Sequence, residues 1–212
     1  GGEDIHARIP LIKVLQKNGF NIEVVGPGIG TIFKEHGINY HTCLLYRTFR
    51  PFDDLKNIFK LVCLFRKHSF DIVHAFDTKQ GLITPIASIF AGNPKVLRTI
   101  TGMGYVFSSR SLITTMLKPV YCLLQSLVSR ISDMTVFQNR DDASYFLTHL
   151  MVQKNRQRII LSSGIDLSVI DSKKTDRRKQ LILRDKLGLG NKLVIILVSR
   201  LAKNKGIIEY ME

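Results

Sequence analysis

Residues 71–100 read DIVHAFDTKQGLITPIASIFAGNPKVLRTI, and this stretch decides the fold class. Two short apolar runs rich in branched side chains, at 71–76 and 95–100, predict strands that are covered on both faces. The residues between them, 80–91, carry a helical pattern that stops at Gly92. A strand, a helix and a second strand in this order predict a parallel sheet with helices packed against it.

The same alternation continues on both sides of this stretch. We predict further strands at residues 21–25, 134–138, 158–161 and 193–199, and further helices at residues 5–17, 53–67, 112–131 and 140–150. The chain is therefore predicted to be an α/β protein with a Rossmann-like, doubly wound parallel sheet. No strand precedes the first helix, so we expect the first strand of the sheet to lie upstream of this sequence. The alternative is that Gly1 and Gly2 are not native residues.

A change in composition near the C-terminal end predicts a second domain. Residues 173–192 are rich in charge and end in a glycine pair separated by one leucine, which is typical of a linker. We accordingly predict an N-terminal domain at residues 1–172, a basic linker at residues 173–192, and the start of a second Rossmann-like domain at residues 193–212.

The composition is that of a globular protein with an unusual charge. Of 212 residues, 45% are hydrophobic and 23% charged, whereas 31 Lys and Arg against 17 Asp and Glu give a net charge of +14. Such a surface attracts phosphates, in nucleic acid, in an anionic membrane or in a small molecule, and charge alone does not choose among them. The 3 cysteines form no C-x-x-C pair, which argues against a zinc site and a disulfide framework and favours a reducing compartment.

The segment LVIILVSRLAKNKG, residues 193–206, is the strongest chemical signal. A predicted buried strand runs into Arg200, and a short loop brings Lys205 and Gly206 to the start of a helix. Two cations and the free N–H groups of a helix N-terminus at the carboxyl end of a strand suit a diphosphate. The alternative is a loop with two solvated basic residues.

Several segments in order resemble the family 4 glycosyltransferases, which have the GT-B fold. The residues RLAKNKG at 200–206 resemble the family's RL-x-x-x-KG segment, and ILSSGIDLSVID at 160–171 is similar to its PNGVD loop. DIVHAFDTKQG at 71–81 and RTITGMGYVF at 98–107 are similar to its first-domain strand and loop motifs. The resemblance spans nearly the whole chain, and TGMGY resembles the subgroup that extends undecaprenyl-linked sugars.

The resemblance implies transfer of a sugar from a nucleotide diphosphate donor to an acceptor, with retention and without a required metal or cofactor. A UDP-sugar is the family's common donor. Arg200 and Lys205 match the pair that holds the donor diphosphate and assists catalysis, and Gly206 lies beside them. The acceptor, a lipid-linked sugar or a glycan, would meet these residues of the first domain: Gly1, Gly2, His74, Lys79, Thr101, Gly102 and Gly104.

Two departures from the family pattern change what we expect. Many relatives carry His where this chain has Thr101, which removes one candidate acid–base group. The family's E-x7-E element would lie beyond Glu212, so we expect residues 1–212 alone to be inactive. His74 could instead be a structural histidine, and Lys79 a solvated turn lysine.

The remaining alternatives concern partners and reaction class. The apolar face of residues 112–131 favours either packing on the sheet or contact with an anionic membrane, so we expect a cytoplasmic protein that is peripheral on the inner membrane face. A UDP-sugar 2-epimerase on the same fold is a rival enzyme. A basic, non-enzymatic module that binds membrane or nucleic acid is a third hypothesis, but the scattered basic residues disfavour nucleic acid. Residues 26–30, GPGIG, fail the dinucleotide fingerprint at Thr31.

Overall fold

The computed structural model describes residues 8–44, 50–103, 107, 112–161, 164, 167, 176–199, 201 and 205–212. Its helices are α1 Ile9–Lys17, α2 Thr31–Glu35, α3 Pro51–His68, α4 Gln80–Ile89, α5 Leu112–Ile131, α6 Arg140–Thr148, α7 Arg177–Lys186 and α8 Ile207–Met211, with a 3-10 turn at Lys154–Arg156. Its strands are β1 Glu23–Gly26, β2 Asn39–Thr42, β3 Ile72–Phe76, β4 Lys95–Ile100, β5 Met134–Phe137 and β6 Gln157–Ile159.

All strand pairs in the described residues are parallel, as the sequence predicts. Strands β1 and β2 form one sheet, and β3, β4, β5 and β6 form a second sheet in sequence order. The α/β, Rossmann-like prediction is confirmed.

Three apolar clusters hold the elements together. One joins α3, α4 and the first two strands of the larger sheet, through residues such as Leu61, Phe65 and Ile83. A second lies between β4, β5, α5 and α6, where Phe137 and Phe146 are fully buried and meet edge to face at 5.0 Å. A small third cluster packs α1 and α2 on the β1–β2 sheet. Strands β4 and β5 are mostly buried, whereas β3 buries Val73 and Ala75 and exposes Ile72 and His74, so the predicted cover on both faces does not hold for β3.

Residues 26–30 form a turn between β1 and α2. Side chains of β2 bind its carbonyl groups, since Tyr40 donates to Pro27 at 2.7 Å and Thr42 donates to Gly28 at 2.8 Å. Gly30 has φ +65° and a Cβ there would overlap the Tyr40 ring, so the position requires glycine. The Tyr40 and Thr42 side chains therefore contact the turn where a dinucleotide would bind in the fingerprint motif.

Three sequence-based assignments differ from the structure. Residues 193–199 form no strand in the described part of the chain and expose their apolar side chains. Helix α7 lies within the predicted linker and is capped by Asp176, which accepts from the Arg178 amide at 2.9 Å. The short elements α2 and β2 were not predicted, because one helical turn and four mostly polar residues carry little periodic signal.

By its internal contacts the chain divides into two compact units, Gly1–Gly164 and Ile165–Glu212. This division falls eight residues before the predicted end of the first domain at residue 172. Among the described residues we find no helix with both the length and the apolar character needed to cross a bilayer.

Candidate functional site

Four of the predicted acceptor residues lie at one edge of the larger sheet. His74 is on β3, Lys79 follows that strand, and Thr101 and Gly102 follow β4. Strands β3 and β4 are parallel neighbours with Phe76 opposite Thr99, so their carboxyl ends reach the same place. The carboxyl edge of an open parallel sheet is where such proteins bind ligands.

His74 contacts the end of the neighbouring strand. Its Nε2 lies 2.8 Å from the Thr99 hydroxyl, and its ring stacks obliquely on Phe76 with centroids 4.0 Å apart. Burial and, to a smaller extent, the positive charge of Arg8 together lower the pKa of His74 to about 4. More than a third of the residue remains exposed, and solvent there reduces the cost of charging the ring. The direction nevertheless gives a neutral imidazole at pH 7.

Lys79 forms an ion pair with helix α3. Its Nζ lies 2.6 Å from Oδ1 of Asp54, and both side chains are mostly buried, at 18% and 13% exposure. Asp54 lies in the first turn of α3, so the pair joins that helix to the candidate acceptor edge. A phosphate that binds Lys79 would therefore have to share its ammonium with a carboxylate.

The backbone around Gly102 is anchored but open on its outer side. The Gly102 carbonyl accepts a hydrogen bond of 2.7 Å from the Thr78 hydroxyl. A Cβ built on Gly102 meets no heavy atom within 4 Å. Space for a ligand to approach this backbone is therefore present in the described structure.

Asp77, between His74 and Lys79, is a feature of this edge that the sequence did not reveal. It has φ +82°, an uncommon conformation for a residue other than glycine. Its Oδ1 accepts from the Thr78 amide at 2.7 Å, and its own amide donates to the Thr99 carbonyl at 3.1 Å. Asp77 and Thr78 thus tie the turn after β3 to the end of β4.

A buried arginine on β4 forms hydrogen bonds with two elements that pack beside the same edge. Arg98 of β4 is fully buried, and it donates to Thr135 at 2.8 Å and to the Gln125 side-chain oxygen at 2.7 Å. Burial lowers the pKa of Arg98 to about 10, which still leaves it charged at neutral pH. Burial also raises the pKa of the nearby Tyr121 phenol. Arg98 joins β4, α5 and β5 directly beneath the loop that carries Thr101.

The predicted donor residues are described only in part. Lys205 is exposed, and Gly206 begins α8 with φ +68°, a conformation that favours glycine. The Tyr210 hydroxyl of α8 donates to the Ile195 carbonyl at 2.7 Å, which ties the helix to residues 193–199. Arg200, like Gly1, Gly2 and Gly104, lies outside the described residues.

Comparison with known proteins finds bacterial relatives. The chain is 22% identical over its whole length to N,N'-diacetylbacillosaminyl-diphospho-undecaprenol alpha-1,3-N-acetylgalactosaminyltransferase of Campylobacter jejuni, of which it covers 57%. It is 26% identical over 79% of its length to UDP-Gal:alpha-D-GlcNAc-diphosphoundecaprenol alpha-1,3-galactosyltransferase of Escherichia coli, of which it covers 42%. The chain thus spans about half the length of these curated relatives.

Two solved structures share the fold. A glycosyltransferase from Rickettsia africae superposes with a TM-score of 0.67 at 18% identity, over 97% of this chain and 52% of that one. MurG of Acinetobacter baumannii gives 0.52 at 13% identity, over 79% of this chain and 44% of that one. The fold is accordingly of the GT-B type. The family model described as "Glycosyl transferase 4-like" matches residues 2–139, more than half of the sequence. The chain therefore belongs to the glycosyl transferase 4-like family.

Proposed function

We propose that the whole protein transfers a sugar from a nucleotide diphosphate donor, a UDP-sugar, to an undecaprenyl-diphosphate-linked sugar during synthesis of a bacterial surface glycan. Two relatives carry a diphospho-undecaprenol acceptor in their names, and one of them names a UDP-sugar donor. Membership of the family supports the reaction class. A retaining outcome and the absence of a required metal follow from the resemblance to family 4 enzymes.

The observation that carries this proposal is the open backbone at the carboxyl edge of β3 and β4. Gly102 is held from beneath by Thr78 and has free space above it, beside His74 and Lys79. A sugar acceptor linked to a diphosphate presents hydroxyl groups and anionic oxygens. A neutral His74 imidazole and the Lys79 ammonium can contact both kinds of group.

On the donor side we assign Arg200, Lys205 and Gly206. The two cations would neutralise the charge that grows on the leaving diphosphate as the glycosidic bond breaks, an effect that is larger in the transition state than in the ground state. Gly206 is the N-cap of α8 and has φ +68°, so Lys205 lies two residues before the first residue of the helix. These roles match the family pattern at the same three positions.

Contact with an anionic lipid bilayer would bring the proposed acceptor site close to a lipid-linked substrate. Helix α3 exposes Phe52 and Phe59 at 81% and 69%, and the apolar groove beside Phe59 has a basic rim of Lys56, Lys60 and Arg66. Helix α5 packs Tyr121 and Val128 inside and leaves Met116 78% exposed. Apolar side chains with cations around them suit an anionic leaflet. Equal sedimentation of the protein with phosphatidylglycerol and phosphatidylcholine vesicles would contradict this assignment.

The reaction is tested with the whole protein, a panel of nucleotide sugars and undecaprenyl-diphosphate sugars as acceptors. We expect release of nucleotide diphosphate only when donor and acceptor are both present. A UDP-sugar 2-epimerase would instead convert its substrate without any acceptor. Turnover with no acceptor dependence would therefore replace the transferase proposal with the epimerase.

Gly102→Ala tests the acceptor edge directly. A methyl group there meets no atom of the described residues within 4 Å, so we expect an unchanged melting temperature and a transfer rate that is lower by on the order of tenfold to a hundredfold, because the acceptor is displaced. Gly81→Ala is the matched control, since its Cβ makes ordinary contacts of 3.6–3.8 Å inside the protein. A Gly102→Ala enzyme with the normal rate and KM would show that the acceptor binds elsewhere.

A further inference from the structure

A cluster of two histidines and a carboxylate lies apart from the candidate acceptor edge, on the smaller sheet. Glu23 is on β1, His41 is on β2, and His68 is the last residue of α3. Nε2 of His41 lies 2.6 Å, and Nδ1 of His68 3.2 Å, from the same Oε2 of Glu23. The three atoms all lie within 4.8 Å of one another.

We propose that Glu23, His41 and His68 bind a divalent transition-metal ion, Zn²⁺, through Oε2, Nε2 and Nδ1. Imidazole nitrogen and carboxylate oxygen are ordinary zinc ligands, and two histidines with one carboxylate make a three-ligand set with a fourth position for water. The cysteines do not contribute to the site, so the spacing of the cysteines does not indicate it.

Two of the three ligand separations lie within about 1 Å of those in a zinc site, and the third is at most 4.8 Å. Zinc bonds of about 2.0–2.2 Å place the ligand atoms of a tetrahedral ion roughly 3.3–3.5 Å apart. The His68–Glu23 separation of 3.2 Å is already close to this value. The His41–Glu23 hydrogen bond of 2.6 Å would open by somewhat under 1 Å, roughly the freedom of one side-chain rotation. The ion replaces the proton between each ring nitrogen and the carboxylate, and that proton passes to the other ring nitrogen or to solvent.

The surroundings hold the ligands while leaving the ion accessible. The His68 ring stacks on Phe70 with centroids 5.5 Å apart, and it meets the His41 ring edge to face at 4.9 Å. The side chains of Glu23, His41 and His68 retain 11%, 27% and 24% exposure, which lets an ion and its water ligand enter.

An ion at this position would connect the end of α3 to both strands of the β1–β2 sheet. The opposite end of α3 carries Asp54, the partner of Lys79 at the acceptor edge. Because the ligands come from three separate elements, metal binding would stabilise the folded state and would be lost on unfolding. We assign the site a structural role and place no step of sugar transfer there.

The test is titration of chelator-treated protein with Zn²⁺ alone, followed by calorimetry and by the melting temperature. We expect one ion per chain and a rise in melting temperature. His41→Ala and His68→Ala should each weaken binding by at least about a hundredfold, since even outer partners of a metal site contribute tenfold to a hundredfold. His36→Ala and His149→Ala, which change exposed histidines elsewhere, should leave binding unchanged.

Glu23→Gln separates a loss of zinc binding that is due to a lost ligand from a loss that is due to misfolding. The amide keeps the shape of the side chain and can still hydrogen-bond both rings, so a folded Glu23→Gln protein with weakened zinc binding supports the proposal. Retention of the wild-type affinity by the His41→Ala/His68→Ala double variant would overturn it. So would the absence of any heat of binding or shift in melting temperature with the wild-type chain.

Discussion

Strand β5 and residues 193–199 are the two segments whose sequences look most alike and whose structures differ most. MTVF in β5 and LVIILVS at 193–199 are both short apolar runs with branched side chains. Phe137 of β5 is fully buried, whereas Val198 is 86% exposed. Strand β5 lies between β4 and β6, and no described strand lies beside residues 193–199. An apolar run thus shows that a segment is able to form a buried strand, and hydrogen bonding to a neighbouring strand decides whether it forms one.

The same contrast separates the proposed acceptor residues from the proposed donor residues. The proposed acceptor residues lie on or after strands whose register is fixed by parallel pairing, and Arg98 of β4 is hydrogen-bonded to β5 and α5. On the donor side, the Tyr210 hydroxyl of α8 donates a hydrogen bond to the Ile195 carbonyl. Parallel pairing therefore positions the first set, whereas no described strand pairs with residues 193–199, which precede the second set.

Phe146→Ala against Leu193→Ala tests the comparison most strongly. Phe146 is fully buried against Phe137, so its truncation should lower the free energy of unfolding by about 3–5 kcal/mol. Leu193 is 90% exposed, and its truncation should change that free energy by less than about 0.5 kcal/mol. Urea unfolding of the 212-residue chain measures both. A loss of several kcal/mol for Leu193→Ala would mean that residues 193–199 are packed after all.

Arg200→Ala with Lys205→Ala tests whether the two proposed donor cations contribute to sugar transfer. In the whole protein we expect transfer to fall by at least about a hundredfold to a thousandfold, because two groups that would stabilise the leaving diphosphate are lost. Lys186→Ala, an exposed lysine in α7, is the control for a simple loss of charge. Near-normal transfer by the double variant would refute the assigned roles and leave Lys205 a solvated surface lysine.

The sequence predicted the bounds of a helix or strand correctly where the element has a complete hydrophobic pattern of its own. Strand β4 and helix α5 have the predicted bounds, Lys95–Ile100 and Leu112–Ile131, because each is a complete pattern between turn signals. Strand β2, NYHT, was missed because three of its four residues are polar and its pairing with β1 is what makes it a strand. The charge of residues 173–192 predicts a linker, and helix α7 within it was not predicted; Lys and Arg are good helix formers, and Asp176 caps the helix.

The sequence predicted where in the fold the candidate residues lie, but it did not predict which side chains they contact. Strand ends and the family resemblance placed His74, Lys79, Thr101 and Gly102 together. The ion pair of Lys79 with Asp54 depends on how α3 packs, and no local pattern encodes that packing. The cluster of Glu23, His41 and His68 comes from three elements far apart in the sequence, so a search for short ligand spacings does not find it.

Substitution of His74 gives the smallest expected effect. It tests whether burial at the carboxyl edge of β3 and β4 lowers the pKa of His74. Its pKa of about 4 in the folded state is below the value of about 6.5 expected in the unfolded chain. Between these values the unfolded state binds more protons, so the contribution of His74 makes stability rise with pH across that window and fall as the pH drops through it. His74→Gln retains a hydrogen-bonding partner for Thr99 and cannot titrate. Urea unfolding from pH 4 to 7 should show a shallower slope for His74→Gln than for the parent chain or for His36→Gln, by less than about one proton because the ring is partly exposed. An identical slope in all three proteins would mean that solvent, and not the sheet edge, determines the protonation of His74.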